Sequence, residues 1–136
     1  MQRKIARENA FMLIFESICK KDETAEEIFR KATEVRELEY DDYVQNVFFG
    51  TYENSVKIDE CIEKNLTGWK KGRVTPVSMA IMRLATYEIL FMEDIPARVS
   101  INEAVELSKK FDDDKSYTFV NGVLNAISRE FSSDAK

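Results

Sequence analysis

Between Ile95 and Asn125 the chain reads IPARVSINEAVELSKKFDDDKSYTFVNGVLN. Two apolar periods of helical spacing, joined by one short acidic link, leave little room for anything but a pair of α-helices. In the first, Ile101, Ala104, Val105, Ser108 and Phe111 fall on one face. Ser100 and Glu103 make an S-x-x-E pattern that predicts a capping box with Ser100 as the N-cap. In the second, Ser116 is the expected cap, and Phe119, Val120, Val123, Leu124 and Ile127 form the buried side. Asn121 and Gly122 sit inside that helix although both are poor helix formers, glycine by about 1 kcal/mol relative to alanine. Either Gly122 admits a close neighbour while Asn121 bonds nearby backbone, or the two mark a polar site on a helix face.

The remainder of the chain continues the pattern. A first helix is predicted over about Arg3 to Cys19, with Ala6, Ala10, Leu13, Ile14 and Ile18 inward and Phe11 and Phe15 widening the stripe. Arg3 and Arg7 are four apart and share a face, with Lys4 adjoining, which makes a short basic ridge. Thr24 and Glu27 predict a second capping box, opening an acidic helix that buries Ile28, Phe29 and Ala32. Asp41 or Asp42 then caps one long helix reaching roughly Leu66, with Gly50 inside it as a point of close packing. Thr67 to Arg73, with Gly68 and Gly72, is the clearest break, and Trp69 within it reads as the rim of a core in preference to a ring that stacks on a base. Thr75 followed by Pro76 is a cap with proline at the first helical position, starting a helix to about Met92. Ser132 to Lys136 reads as a frayed tail. The expected fold is all-α, a compact bundle of six to seven helices. It forms one domain over 1–136, with halves at about 1–66 and 75–131 and a link at 67–74.

Composition limits the function. Among 136 residues there is no histidine, and the two cysteines are isolated, so neither a zinc site nor histidine acid–base chemistry is available. The four glycines form no G-x-G-x-x-G or G-x-x-x-x-G-K loop. Asp112, Asp113 and Asp114 read as a solvated link rather than a catalytic pair. No cofactor and no enzymatic activity are expected. No apolar run is long enough to span a bilayer, and no signal peptide is evident, which fits a cytoplasmic protein with reduced thiols. The net charge of −5 is matched by the segment Lys21 to Tyr43, which carries nine acids against four bases, so the rest is neutral overall. Local basic patches survive such a total. One comprises Arg3, Lys4 and Arg7; another comprises Lys64, Lys70, Lys71 and Arg73. Taken alone, either cluster reads as a solvated surface or as an RNA site. If the N-terminal ridge meets the polar, aromatic stretch Lys109, Lys110, Lys115, Ser116, Tyr117 and Phe119 in space, the two together supply the mix of cations and rings that holds single-stranded RNA.

The order I-P, V-x-I-N-E-A-V-E-L, K-x-F and S-x-x-F-V-N-G-V-L, preceded by MRLATYEIL and by the N-terminal RKIARENAFMLIF, closely resembles the NusB family of transcription antitermination proteins across essentially the whole chain. The resemblance implies an all-helical RNA-binding factor. Such a factor acts with the small ribosomal protein NusE on the boxA element of ribosomal RNA leader transcripts, and loads onto RNA polymerase so that elongation continues. It implies Arg3, Lys4, Arg7, Lys110, Ser116, Tyr117 and Phe119 as RNA contacts. The sequence departs from the family pattern at Asp112 (commonly glycine), Lys115 (often an acid), Asn125 (commonly aspartate) and Ser78 (a frequent acid near the helix expected to face NusE). NusB-like domains also precede ribosomal RNA cytosine methyltransferases, but a chain ending at Lys136 leaves no room for the cofactor domain. A helical adaptor or homodimer without RNA binding is the alternative reading.

Overall fold

The computed structural model describes residues 1–69 and 71–134, with the side chains of residues 71 and 132–134 left aside. Among the described residues the chain forms seven α-helices and no strand. They are α1 (Arg3–Cys19), α2 (Ala25–Arg30), α3 (Asp42–Glu53), α4 (Ser55–Lys64), α5 (Pro76–Phe91), α6 (Ala97–Phe111) and α7 (Ser116–Asp134). A π-helical turn at Lys31–Val35 prolongs α2, and a 3-10 turn occupies Lys71–Arg73. The all-α expectation therefore holds.

Helix α5 organises the packing. Its sequence PVSMAIMRLATYEILF is apolar on nearly every side, and such a helix must be covered all round. It packs against α1, α3, α4, α6 and α7, and buries Ala80, Ile81, Met82, Leu84, Ala85, Tyr87 and, unusually, Glu88. The other helices offer single stripes to it: Ala6, Ala10, Leu13 and Ile14 from α1, Val47 and Phe48 from α3, Ile58 and Ile62 from α4, Ile101 and Ala104 from α6, Val120, Val123, Leu124 and Ile127 from α7. The N-terminus of α5 is fastened as the Thr75-Pro76 pair predicts. Thr75 Oγ1 accepts the Ser78 N–H at 3.0 Å, and the Thr75 N–H donates to Ser78 Oγ at 2.9 Å. Ser78 is fully buried in this reciprocal cap, so its place is structural rather than on a partner-facing surface.

Four local expectations need correction. Helix α6 begins at Ala97, one turn before the predicted cap, because Pro96 presets the entry and its carbonyl accepts the Val99 N–H at 2.9 Å. Ser100 is thus inside the helix, with its hydroxyl committed elsewhere. The long helix is divided: Asn54 ends α3 and opens α4, its side chain donating to the Gly50 carbonyl at 2.8 Å, a local bond that competes with helical continuation. The cap of α7 is Asp113, whose Oδ1 accepts the N–H groups of Lys115 and Ser116 and the Ser116 hydroxyl, each at 2.9 Å. Helix α7 also continues to Asp134, through most of the expected tail; Ala135 and Lys136 lie outside the described residues.

Both internal glycines serve side-chain packing. A Cβ at Gly50 would overlap the Tyr87 ring, and one at Gly122 would stand 3.0 Å from Trp69 Cζ2. Trp69 leans on Phe119 edge to face, with centroids 5.1 Å apart, and remains 36% exposed, which places it at the rim of the core.

Candidate nucleic-acid interface

The basic ridge of α1 lies along the seam where α1 meets α6, over the end of α5. Its three cations have different surroundings. Arg7 is 4% exposed, its Nε donating to Glu88 Oε2 at 3.0 Å and its Nη2 to Oε1 at 3.4 Å, with Glu103 3.6 Å from Nη1. Glu88, wholly buried, also accepts the Tyr43 hydroxyl, and the Ser100 hydroxyl at 2.7 Å. Both carboxylate oxygens are therefore satisfied, the condition under which a buried charge is tolerated. Burial pulls the Arg7 guanidinium down, but the Glu88 hydrogen bond and charge, with Tyr43 and Glu103, outweigh it and leave the group above its ordinary value. The Tyr43 phenol is pushed up, first by burial and then by the Glu88 charge.

Arg3 is exposed, its guanidinium 4.2 Å from the Tyr43 ring centroid, so the same phenol that caps Glu88 supports Arg3 from beneath. Lys4 is exposed and lines a cleft of about 280 Å³ with Glu8, Glu103, Glu106, Lys109 and Lys110. Across that cleft Lys110 Nζ donates to both Glu8 oxygens, at 2.9 and 3.1 Å. Lys109 sits 5.0 Å from the Tyr117 ring, which is 38% exposed at the start of α7. Arg3 and Lys4 line a neighbouring hollow, Lys4, Lys109 and Lys110 the cleft, and Lys109 meets Tyr117, so these exposed groups follow one stripe in which Glu8, Glu103 and Glu106 are interleaved.

Three of the predicted contacts are not on it. Arg7 is spent on Glu88. Ser116 is 2% exposed, its hydroxyl bonded to Asp113. Phe119 is fully buried under Trp69, where no base can reach its face. These three shape the surface from below. Asn121 remains exposed, and Asn125 Nδ2 donates to its carbonyl and side-chain oxygens at 2.8 and 3.1 Å. The middle basic cluster is partly committed: Lys64 bonds Glu130 at 2.9 Å, and Arg73 bonds the Lys115 carbonyl at 3.1 Å. Lys70 lies outside the described residues. Asp112 accepts from the Thr75 hydroxyl at 3.1 Å and so ties the α6–α7 link to the start of α5. The residues that sequence reasoning missed were Glu88, Tyr43 and Glu8. Glu88 had a signal, since an acid inside RLATYEIL needs a buried partner.

Among the described residues no group of three His, Cys, Asp or Glu side chains is placed to hold a metal ion, and no helix is long and apolar enough to cross a membrane. Fold and surface together define an all-helical protein with exposed cations, carboxylates and a tyrosine ring along a helix seam. The chain belongs to the NusB family, whose sequence profile matches residues 4–129. It is 42% identical over 131 residues to the transcription antitermination protein NusB of Clostridium botulinum (strain Alaska E43 / Type E3), covering 93% of this chain and 98% of that one. The structure of T. maritima NusB superposes with a TM-score of 0.81 at 34% identity, over 96% of this chain and 92% of that chain. A crystal structure of the antitermination factors NusB and NusE in complex with double-stranded RNA gives 0.81 at 29% identity, over 94% and 96%.

Proposed function

We propose that this protein is a transcription antitermination factor that binds boxA RNA of ribosomal RNA leader transcripts together with NusE and promotes processive elongation by RNA polymerase. The observation that carries the RNA part of this reading is the stripe itself. Lys4, Lys109 and Lys110 line one cleft, Arg3 is exposed over Tyr43, and Lys109 stands beside the exposed Tyr117, cations for phosphates with a ring for a splayed base. Arg3, Lys4, Lys110 and Tyr117 act as contacts; Arg7, Ser116 and Phe119 hold the helices that present them.

The mechanism follows from charge. With a net charge of −5, the protein gains little from RNA at long range, and at most four cations meet phosphate along the stripe. At roughly 0.7 counterions released per contact on a single strand, binding by this chain alone is modest and salt-sensitive. A basic ribosomal protein bound alongside adds phosphate contacts to the same RNA, and the second interaction becomes effectively intramolecular. The protein is read as non-enzymatic, as cytoplasmic, and as one folded unit in which α5 joins the two helical halves.

The test is binding of a fluorescent boxA RNA and a scrambled control, with and without purified NusE, at two salt concentrations. The expected result is discrimination that sharpens when NusE is present and affinity that falls with salt. Binding of NusE with neither RNA held under any condition would make the chain a protein adaptor instead.

A further inference from the structure

Lys110 reaches from α6 across the cleft and places both of its observed hydrogen bonds on Glu8 of α1. The Glu8 side chain is 18% exposed, and that of Lys110 is 57% exposed, so the carboxylate lies inside the cleft while the ammonium remains reachable from solvent. An ammonium has three N–H donors, which leaves one for any incoming oxygen. With Arg7 committed to Glu88, the cleft sets Lys4, Lys109 and Lys110 against Glu8, Glu103 and Glu106. A stripe that offers cations to RNA is therefore locally close to neutral, and a phosphate arriving at Lys110 meets a resident carboxylate.

We propose that Glu8 is a specificity-determining residue for RNA, holding Lys110 in an intramolecular pair that an RNA phosphate must displace or share. The inference rests on the RNA-binding reading above. Glu8 taxes every phosphate alike, so it weighs most on RNA that gains nothing else from the surface. An RNA whose base stacks on Tyr117 and whose backbone meets Arg3 has further interactions with which to open the pair. Glu8 thereby lowers affinity in exchange for selectivity.

The experiment measures binding of boxA RNA and its scrambled control to the full-length wild type, Glu8→Gln, Glu106→Gln, Lys110→Met and the Glu8→Gln/Lys110→Met double variant across a salt series. Glu8→Gln keeps the side-chain shape and an acceptor for Lys110. It should bind scrambled RNA about two- to fivefold more tightly, the range spanned by an exposed ion pair. It should bind boxA RNA with a smaller gain, so that discrimination falls, and its salt dependence should steepen by about 0.7 in log–log slope. The gain should vanish when Lys110 is methionine, and Glu106→Gln should reproduce little of it. Glu8→Asp, which retains the charge but withdraws it from Lys110, should tighten scrambled RNA in the same direction and serves as the second variant if Glu8→Gln unfolds. An equal gain in the Lys110→Met background, an equal gain from Glu106→Gln, or no gain in a wild type that does bind RNA would each overturn the proposal. If neither wild type nor Glu8→Gln holds either RNA, the RNA reading itself falls, and this inference with it.

Discussion

Arg7 and Glu8 are neighbours on α1, and each takes part in an ion pair that crosses to another helix, yet the two pairs belong to different physical regimes. The Arg7–Glu88 pair is dry: side-chain exposure is 5% and 0%, and Tyr43 and Ser100 complete the carboxylate's hydrogen bonds. The Glu8–Lys110 pair is 18% and 57% exposed, and water screens it. Removing one member of the first leaves a buried charge without its close hydrogen-bonding partner, whereas removing one member of the second mainly frees the other. One turn of a helix thus carries a fastening and a surface tool made from the same kinds of side chain.

The contrast can be broken most sharply at Glu88. Replacing it with alanine should cost about 3 kcal/mol of unfolding free energy, measured by urea denaturation, because buried Arg7 loses both of its close hydrogen bonds and keeps only the partly exposed Glu103 at 3.6 Å. Combining Arg7→Met with Glu88→Leu should recover part of that loss, since an apolar pair of similar volume removes the buried charge, while the Tyr43 and Ser100 hydroxyls still lose their acceptor. Tyr43→Phe should cost about 1–3 kcal/mol by leaving a buried acceptor short of one donor, while keeping the ring under Arg3.

Tyr43 also gives the dry junction a pH signature. An unfolded chain ionises its tyrosines above about pH 10, whereas burial and the Glu88 charge hold the folded Tyr43 phenol protonated well beyond that. The folded state then binds more protons than the unfolded one. Stability is fully present below about pH 10 and should decline as pH rises further, by up to about 1.4 kcal/mol per unit. Alkaline melts of Tyr43→Phe should lack that component. The smallest effect belongs to the wet pair: Lys110→Met should change stability by less than about 1 kcal/mol in a thermal melt. Its expected mark is on RNA, where the salt slope should fall by about 0.7.

What the sequence made legible follows the same division. The bounds of α1 and the Thr75-Pro76 start of α5 could be read because a local rule and the packed structure agree there. The start of α6 could not. Ser100 and Glu103 have the spacing of a capping box, but in the folded protein Ser100 serves Glu88 and Glu103 faces Arg7, demands made by residues more than ten positions away or on another helix. The long middle helix failed at Asn54, where one side chain competes with the backbone. Among the candidate contacts, periodicity put Arg3, Lys4 and Arg7 on one ridge without telling which of them another helix covers. Phe119 and Tyr117 are two residues apart on different faces of α7, and periodicity already put Phe119 on the buried side, where Trp69 covers it, while Tyr117 stays exposed.

That tryptophan has a practical consequence. It is the only one in the chain, and its ring rests on Phe119 and against Gly122 at the beginning of α7. Its emission is therefore a label-free optical reporter of that junction, two residues from Tyr117. Occupancy of the stripe and loosening of the first turn of α7 can be followed in the native protein by the wavelength and intensity of a single indole.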